Sequence, residues 1–145
     1  MLHKLLGPFG CGLSTGAGTV INALKVRPAE SLVVFGAGGV GLAAAMAALA
    51  SGATTVIVVD INDDRLALAK SLGVTHTFNG MDADLVDAIK AVTGGGAHYA
   101  IDTTGNMRVV RTSHEVLRIG GTTAMVGLSA PGTGVELEHM GILDG

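Results

Sequence analysis

From residue 31 onward, apolar positions alternate between two rhythms. SLVVF (31–35) and TTVIVVD (54–60) are short, almost unbroken apolar runs, the pattern of strands covered on both faces of a parallel sheet. VTHTFN (74–79) is shorter and more polar, which predicts a third strand near a sheet edge. AHYAIDTTG (97–105) and GTTAMVG (121–127) read as a fourth and a fifth. Helical stretches lie between them. GVGLAAAMAALAS (39–51) stops at Gly52, and Asn62 or Asp63 caps a helix through DRLALAKSL that Gly73 ends. Asp82 opens a helix to Val92, broken by the glycines at 94–96. The stretch 106–119 offers Val109, Val110, Val116, Leu117 and Ile119 for packing.

Strand and helix alternating through two successive halves predict an α/β fold, a doubly wound parallel sheet of the Rossmann kind. Right-handed crossovers then give about five strands in order 3-2-1-4-5, with the switch point between strands one and four. Residues 31–145 form this dinucleotide-binding domain. Residues 1–30, a loop and a short helix from Ser14 to Lys25, are expected to connect it to an absent catalytic domain. The tail VELEHMGILDG (135–145) stops where a sixth strand begins in such folds, so the sixth strand is read as truncated. Strand five then has an unpaired apolar edge, and self-association into a homo-oligomer is expected through it or through other exposed apolar surface.

Composition narrows the function. Hydrophobic residues make up 48% of the 145 positions, enough for a proper core. The net charge of -3 and the lack of any Lys/Arg run argue against a nucleic-acid partner. Ser31 to Val59 carries no charge, but GAGGVG (36–41) and Ser51-Gly52 interrupt it, so two strands and a helix fit better than a membrane span. The apolar part of MLHKLLGPFG is too short for a signal peptide, and a single cysteine, Cys11, excludes an intrachain disulfide. A cytoplasmic location follows as the expectation. Aromatics at 3% beside 23 glycines suit a backbone that must approach a ligand closely.

The chemistry concentrates after strand one. Gly36, Gly38 and Gly41 match G-x-G-x-x-G between a predicted strand and a predicted helix, the context that gives the pattern meaning. Gly36 makes the tight turn, Gly38 lets backbone reach a pyrophosphate, and Gly41 permits close helix–strand packing. Gly39 and Val40 complete the turn, where the helix amino terminus offers N–H donors and partial positive charge. Asp60 ends strand two, placed to accept hydrogen bonds from both hydroxyls of an adenosine ribose and to repel the 2′-phosphate of NADP, which predicts NAD. The plainer reading of Asp60 is a solvated helix cap, although Asn62 and Asp63 already serve there.

The runs GPFGCGLSTGAGTVINALKV (7–26), VVFGAGGVG (33–41) and VVDINDDR (58–65) resemble the zinc-dependent medium-chain alcohol dehydrogenases, nearest the aryl- or benzyl-alcohol branch. The resemblance covers nearly the whole chain but only the cofactor domain of such enzymes, and its most specific piece is G-C-G-x-x-T-G-x-G at 10–18. It implies that Cys11 is one of three protein ligands of a catalytic zinc in the parent enzyme, and that Thr15 and Val40 pack on the nicotinamide. It implies Arg65 beside Asp60 at the ribose, Thr103 and Thr104 along the adenine and ribose side, and backbone of Val126, Gly127 and Leu128 at the nicotinamide carboxamide. The parent would use zinc as a Lewis acid on an alcohol, pass a hydride to NAD, and release an aldehyde.

The chain departs from that pattern in lacking a four-Cys cluster and the upstream ligands. One thiolate cannot hold zinc where three protein ligands are needed, so Cys11 is expected metal-free and this chain alone inactive. Taken by itself, Cys11 reads as a small buried hydrophobe. His3, His76, His98, His114 and His139 have no metal-ligand spacing, Arg65 reads equally as a solvated charge, and Asp102 reads as a helix cap or loop brace as readily as crevice-facing, with no catalytic role assigned. Two other functions share the glycine turn. A stand-alone NAD/NADH-sensing module has no use for Cys11-Gly12-x-x-Thr15, and an S-adenosylmethionine-dependent methyltransferase fits the GAGGVG spacing less well.

Overall fold

The computed structural model describes residues 9–136. Five strands, β1 (Ser31–Phe35), β2 (Thr55–Asp60), β3 (His76–Asn79), β4 (Ala97–Asp102) and β5 (Leu117–Met125), form one sheet in the order β3-β2-β1-β4-β5. All four pairings are parallel, with Val33 opposite Ile57 on one side and Ala100 on the other. The expected topology is therefore the observed one. The tail on which the sixth strand is read as truncated lies outside the described residues from position 137 onward.

Both faces of the sheet are covered, which is why β1 and β2 read as continuous apolar runs. Leu32, Val34, Val56 and Val58 pack on one face against alanines of α2 (Gly39–Ala50). Val33, Phe35, Ile57 and Val59 pack on the other with Leu85 and Ile89 of α4 (Leu85–Val92). Alternate residues of each strand thus serve opposite layers. α2 has small residues along its length, with Ala44 and Ala48 fully buried, so helix and sheet approach closely. α3 (Asp63–Ser71) flanks β2 and is capped by Asn62, whose side chain accepts the Arg65 N–H at 3.1 Å. No helix among the described residues is long and apolar enough to cross a membrane.

The segment before β1 is helical but irregular. α1 (Ser14–Gly18) is flanked by wide π-helical turns at Phe9–Leu13 and Thr19–Leu24, and Lys25 ends the run at φ 54°. Glycines at 10, 12, 16 and 18 weaken regular helix here. The docking explains them in part. A methyl on Gly16 would overlap the Val40 carbonyl oxygen and lie 3.0 Å from the Ala44 amide, so α1 rests directly on the backbone of α2.

The helix expected to open at Asp82 begins at Leu85 and the third strand at His76, and the larger departures from the expected boundaries lie around β4 and β5. The helix expected over 106–119 is α5 (Met107–Glu115), and β5 begins at Leu117. Ala97 N–H takes the Val116 carbonyl at 2.9 Å, so strand pairing claims the chain four residues early. Ile119 is 79% exposed instead of packed. Pairing then slips, from Ala97 opposite Leu117 to Tyr99 opposite Thr122, a bulge in which Gly120 takes φ 76°. The fourth strand, expected through residue 105, stops at Asp102, whose carboxylate draws the next amides into a turn.

Candidate dinucleotide-binding site

The carboxyl ends of β1 and β4 lie side by side, and their chains leave in opposite directions to α2 and α5. This switch point is where ligands enter doubly wound sheets. After β1 the backbone turns at Gly36, φ 99°, and its N–H donates to the Val59 carbonyl at 2.8 Å. A methyl on Gly36 would overlap Thr103 Oγ1, and one on Gly41 would overlap the Gly36 carbonyl oxygen. Gly38 and Gly39 are different: a methyl at either meets nothing within 4 Å. Two glycines thus serve the packing of the turn, and two leave bare backbone facing open space.

Gly38 is the N-cap residue of α2 and provides no side-chain cap. Leu42 N–H, donating to the Gly38 carbonyl at 2.9 Å, makes the first bond of the helix ladder. The amides of the first turn, at Gly39, Val40 and Gly41, have no earlier carbonyl within their helix. They form a cradle of N–H donors at the positive end of a twelve-residue helix.

Asp60 faces this turn. Its Oδ2 accepts the Ala37 N–H at 2.7 Å, its Oδ1 accepts the Asn62 N–H at 2.9 Å, and its side chain is only 7% exposed. Asn62, not Asp60, caps α3, so the capping alternative for Asp60 is removed. The carboxylate is instead held by two amides between the glycine turn and the end of β2. Arg65 is 57% exposed, with Nη1 3.9 Å from Asp60 Oδ2, too long for a hydrogen bond. It is a solvated charge that leans on the site.

Gly36, Gly38, Asp60, Arg65, Thr103 and Thr104 line one crevice of about 560 Å³. Other residues of its wall were not assigned to the site from the sequence, among them Ile61, Met81 and Arg108. Ile61 is 71% and Met81 79% exposed, apolar side chains at the rim of the crevice. An isoleucine directly after Asp60, within the polar run D-I-N-D-D, was the available signal.

Thr103 turns its hydroxyl inward, donating to the Phe35 carbonyl at 2.8 Å, and so ties the end of β4 to the glycine turn. Thr104 is exposed, its hydroxyl donating to Asp102 Oδ1 at 2.6 Å. Asp102 is fully buried, which settles its orientation: it braces this turn and does not face the crevice. Val126 and Gly127 N–H both donate to the Asp102 carbonyl, at 2.9 and 3.0 Å, while Leu128 is 96% exposed. None of Val126, Gly127 and Leu128 lines the 560 Å³ crevice.

Cys11, Thr15 and Val40 also lie outside that crevice. Thr15 is exposed and donates to the Cys11 carbonyl at 2.5 Å. Gly12 and Gly16, on either side of it, pack against Val40. Cys11 is exposed, so it is not a small buried hydrophobe. Among the described residues no three of His, Cys, Asp or Glu stand close enough to hold a metal ion. Cys11 therefore offers a single donor, and these residues do not by themselves fit a zinc. His3 and His139 lie outside the described residues.

Comparison with known proteins agrees with this geometry. The family model described as zinc-binding dehydrogenase matches residues 39–143. Geraniol dehydrogenase of Castellaniella defragrans is 48% identical over 141 residues, 97% of this chain and 38% of the relative. Alcohol dehydrogenase class-2 isozyme 2 of Oryctolagus cuniculus is 37% identical over 139 residues, 94% of this chain and 37% of its own length. The crystal structure of benzyl alcohol dehydrogenase from Acinetobacter calcoaceticus superposes with a TM-score of 0.93 at 47% identity, covering 97% of this chain and 39% of that one. The chain thus spans about two fifths of the length of the relatives it matches.

Proposed function

The chain belongs to the zinc-binding dehydrogenase family, and on that premise we propose that it is the NAD-binding part of an enzyme that moves a hydride between an alcohol and NAD. One observation carries the reading: the nearly buried Asp60 carboxylate, held by Ala37 N–H, beside open glycine backbone. The bare amides at Gly38–Gly41 receive a diphosphate, because they are unpaired donors at a helix amino terminus. Asp60 accepts from the ribose hydroxyls and repels a phosphate on the same sugar, which favours NAD over NADP. Ile61 and Met81 offer apolar surface to the adenine.

The remaining roles belong to the same proposal. Thr15 and Val40 sit at the nicotinamide, supported by the docking of α1 on the α2 backbone. Carbonyls of Val126 to Leu128 accept from the carboxamide, since the amides of Val126 and Gly127 are already committed to Asp102. NAD, when bound, supplies the hydride chemistry. The chain orients it and stabilises its phosphates. Residues 1–30 link this domain to a catalytic domain in the parent enzyme, where Cys11 is one ligand among three and the others come from outside the described residues.

Activity on benzylic and allylic primary alcohols is proposed for that parent, from the benzyl alcohol and geraniol named in two relatives. A cytoplasmic homo-oligomer completes the reading. Calorimetric titration of the chain with NAD and with NADP tests it. NAD is expected to bind at least about tenfold more tightly. Equal affinities refute the NAD preference, and binding of neither refutes the dinucleotide site.

A further inference from the structure

Asp102 is the one carboxylate in the described residues with no exposed surface, and the hydride chemistry makes no use of it. Its carboxylate accepts three bonds: Thr104 N–H at 3.0 Å and Thr104 hydroxyl at 2.6 Å on Oδ1, and Gly105 N–H at 3.0 Å on Oδ2. Its main-chain carbonyl accepts two more, from Val126 N–H at 2.9 Å and Gly127 N–H at 3.0 Å. One residue therefore holds the turn after β4 with its side chain and the turn after β5 with its backbone.

The two turns also touch each other. A methyl on Gly105 would overlap the Leu128 carbonyl oxygen, and a methyl on Gly127 would overlap the Gly105 amide and lie 2.8 Å from the Thr103 carbonyl carbon. Gly105 takes φ 68°, a conformation that strains other residues. Residues 103–105 and 126–128 thus form one interlocked unit whose shape depends on the Asp102 side chain. Thr103 extends it to the Phe35 carbonyl at the glycine turn.

We propose that Asp102 is a positioning residue for the nicotinamide end of the cofactor, setting the height and direction of the Val126–Leu128 backbone through Thr104 and Gly105. This rests on the NAD-binding reading above. An uncharged isostere cannot reproduce the arrangement. An asparagine keeps an acceptor for Thr104 but turns an NH2 toward Gly105 N–H, leaving a buried donor facing a donor. The turn then shifts, and Leu128 moves with it through the Gly105 contact.

The test compares two ligands that differ only at the affected end. NAD and ADP-ribose share adenosine, diphosphate and second ribose, so the ratio of their affinities isolates the nicotinamide. A general loss of stability, or a change at the adenosine end, moves both affinities together and leaves the ratio alone. In titrations of the chain, Asp102→Asn is expected to reduce the NAD preference over ADP-ribose about fivefold, the worth of roughly one hydrogen bond. Amide exchange at Thr104, Gly105, Val126 and Gly127 is expected to quicken together.

An unchanged ratio in the variant overturns the inference while leaving the NAD reading intact. So does a wild-type chain that binds NAD no better than ADP-ribose, because it has no nicotinamide site to position. A wild-type chain that binds neither removes the NAD reading itself. If Asp102→Asn does not fold, Thr104→Val removes the hydroxyl bond to Asp102 Oδ1 without altering residues 126–128, and must reduce the same ratio.

Discussion

Gly38 and Gly41 stand three residues apart in one motif and are expected to fail in opposite ways when given a methyl group. Gly38 has φ −78° and ψ −175°, which any residue adopts, and its methyl meets nothing within 4 Å. Alanine there gains about 0.4–1 kcal/mol from a less flexible unfolded chain. It loses a similar amount because alanine is a poorer N-cap than glycine. Stability should change by less than about 0.5 kcal/mol, or about 2 °C in melting temperature. The methyl nevertheless occupies the space where a diphosphate would approach, at a cost of at least one charge-assisted hydrogen bond, about 1.5–3 kcal/mol. That corresponds to about 10- to 100-fold weaker NAD binding. Gly41→Ala reverses the balance. Its methyl overlaps the Gly36 carbonyl oxygen, lies 3.0 Å from the Gly36 carbonyl carbon and 3.2 Å from Val34 Cγ1, and has backbone, not a flexible side chain, in its way. Overpacking of about 1–3 kcal/mol or more exceeds the helix-propensity gain of up to about 1 kcal/mol. A fall of several degrees in melting temperature is expected. Thermal melts and NAD titrations of both variants decide the matter. NAD binding by Gly38→Ala within twofold of wild type, or a melting loss as large as that of Gly41→Ala, refutes the reasoning.

Three further outcomes follow from the structure. Asp60→Asn removes the charge that opposes a sugar phosphate, so the NAD-to-NADP affinity ratio should fall about tenfold in paired titrations, and an unchanged ratio takes Asp60 out of ribose recognition. Gly16→Ala collides with the Val40 carbonyl and should lift α1 off α2, read as faster amide exchange over residues 14–24; protection equal to wild type counts against the docking. Burial first, and then the neighbouring Glu30 carboxylate, raises the Tyr99 phenol above its usual value. The neutral phenol is thus favoured in the folded chain, and its stabilisation is complete below the ordinary phenol range and lost as pH rises through the folded value. Melting temperature should therefore fall more steeply above about pH 10 in wild type than in Tyr99→Phe, and parallel curves would show that Tyr99 does not contribute.

Local pattern carried the reading furthest where burial and chain geometry agree. SLVVF became β1 at its predicted ends, because Leu32 to Phe35 are apolar and covered on both faces, Ser31 is buried with them, and the flanking Glu30 and Gly36 cannot extend the strand. The polar VTHTFN became the edge strand β3, half-buried throughout. The glycine turn followed the same logic, with steric demand written directly into the missing side chains. Asp60 was legible from its position at a strand end, although its two amide partners were not.

The chain's own residues determined the alternation of strands and helices, the order they take in the sheet, the bare turn after β1 and the acid after β2. All of these follow from periodicity, glycine placement and the hand of the crossovers. Only the folded molecule decided that Val116 leaves α5 to pair with Ala97, that Asp102 points inward, and that residues 103–105 lock against 126–128. The reason is the range of the forces. Periodicity reports which side of an element is dry, whereas the start of β5 and the joining of the two turns are set by backbone partners from distant parts of the chain, Ala97 N–H on the Val116 carbonyl and Val126 and Gly127 N–H on the Asp102 carbonyl.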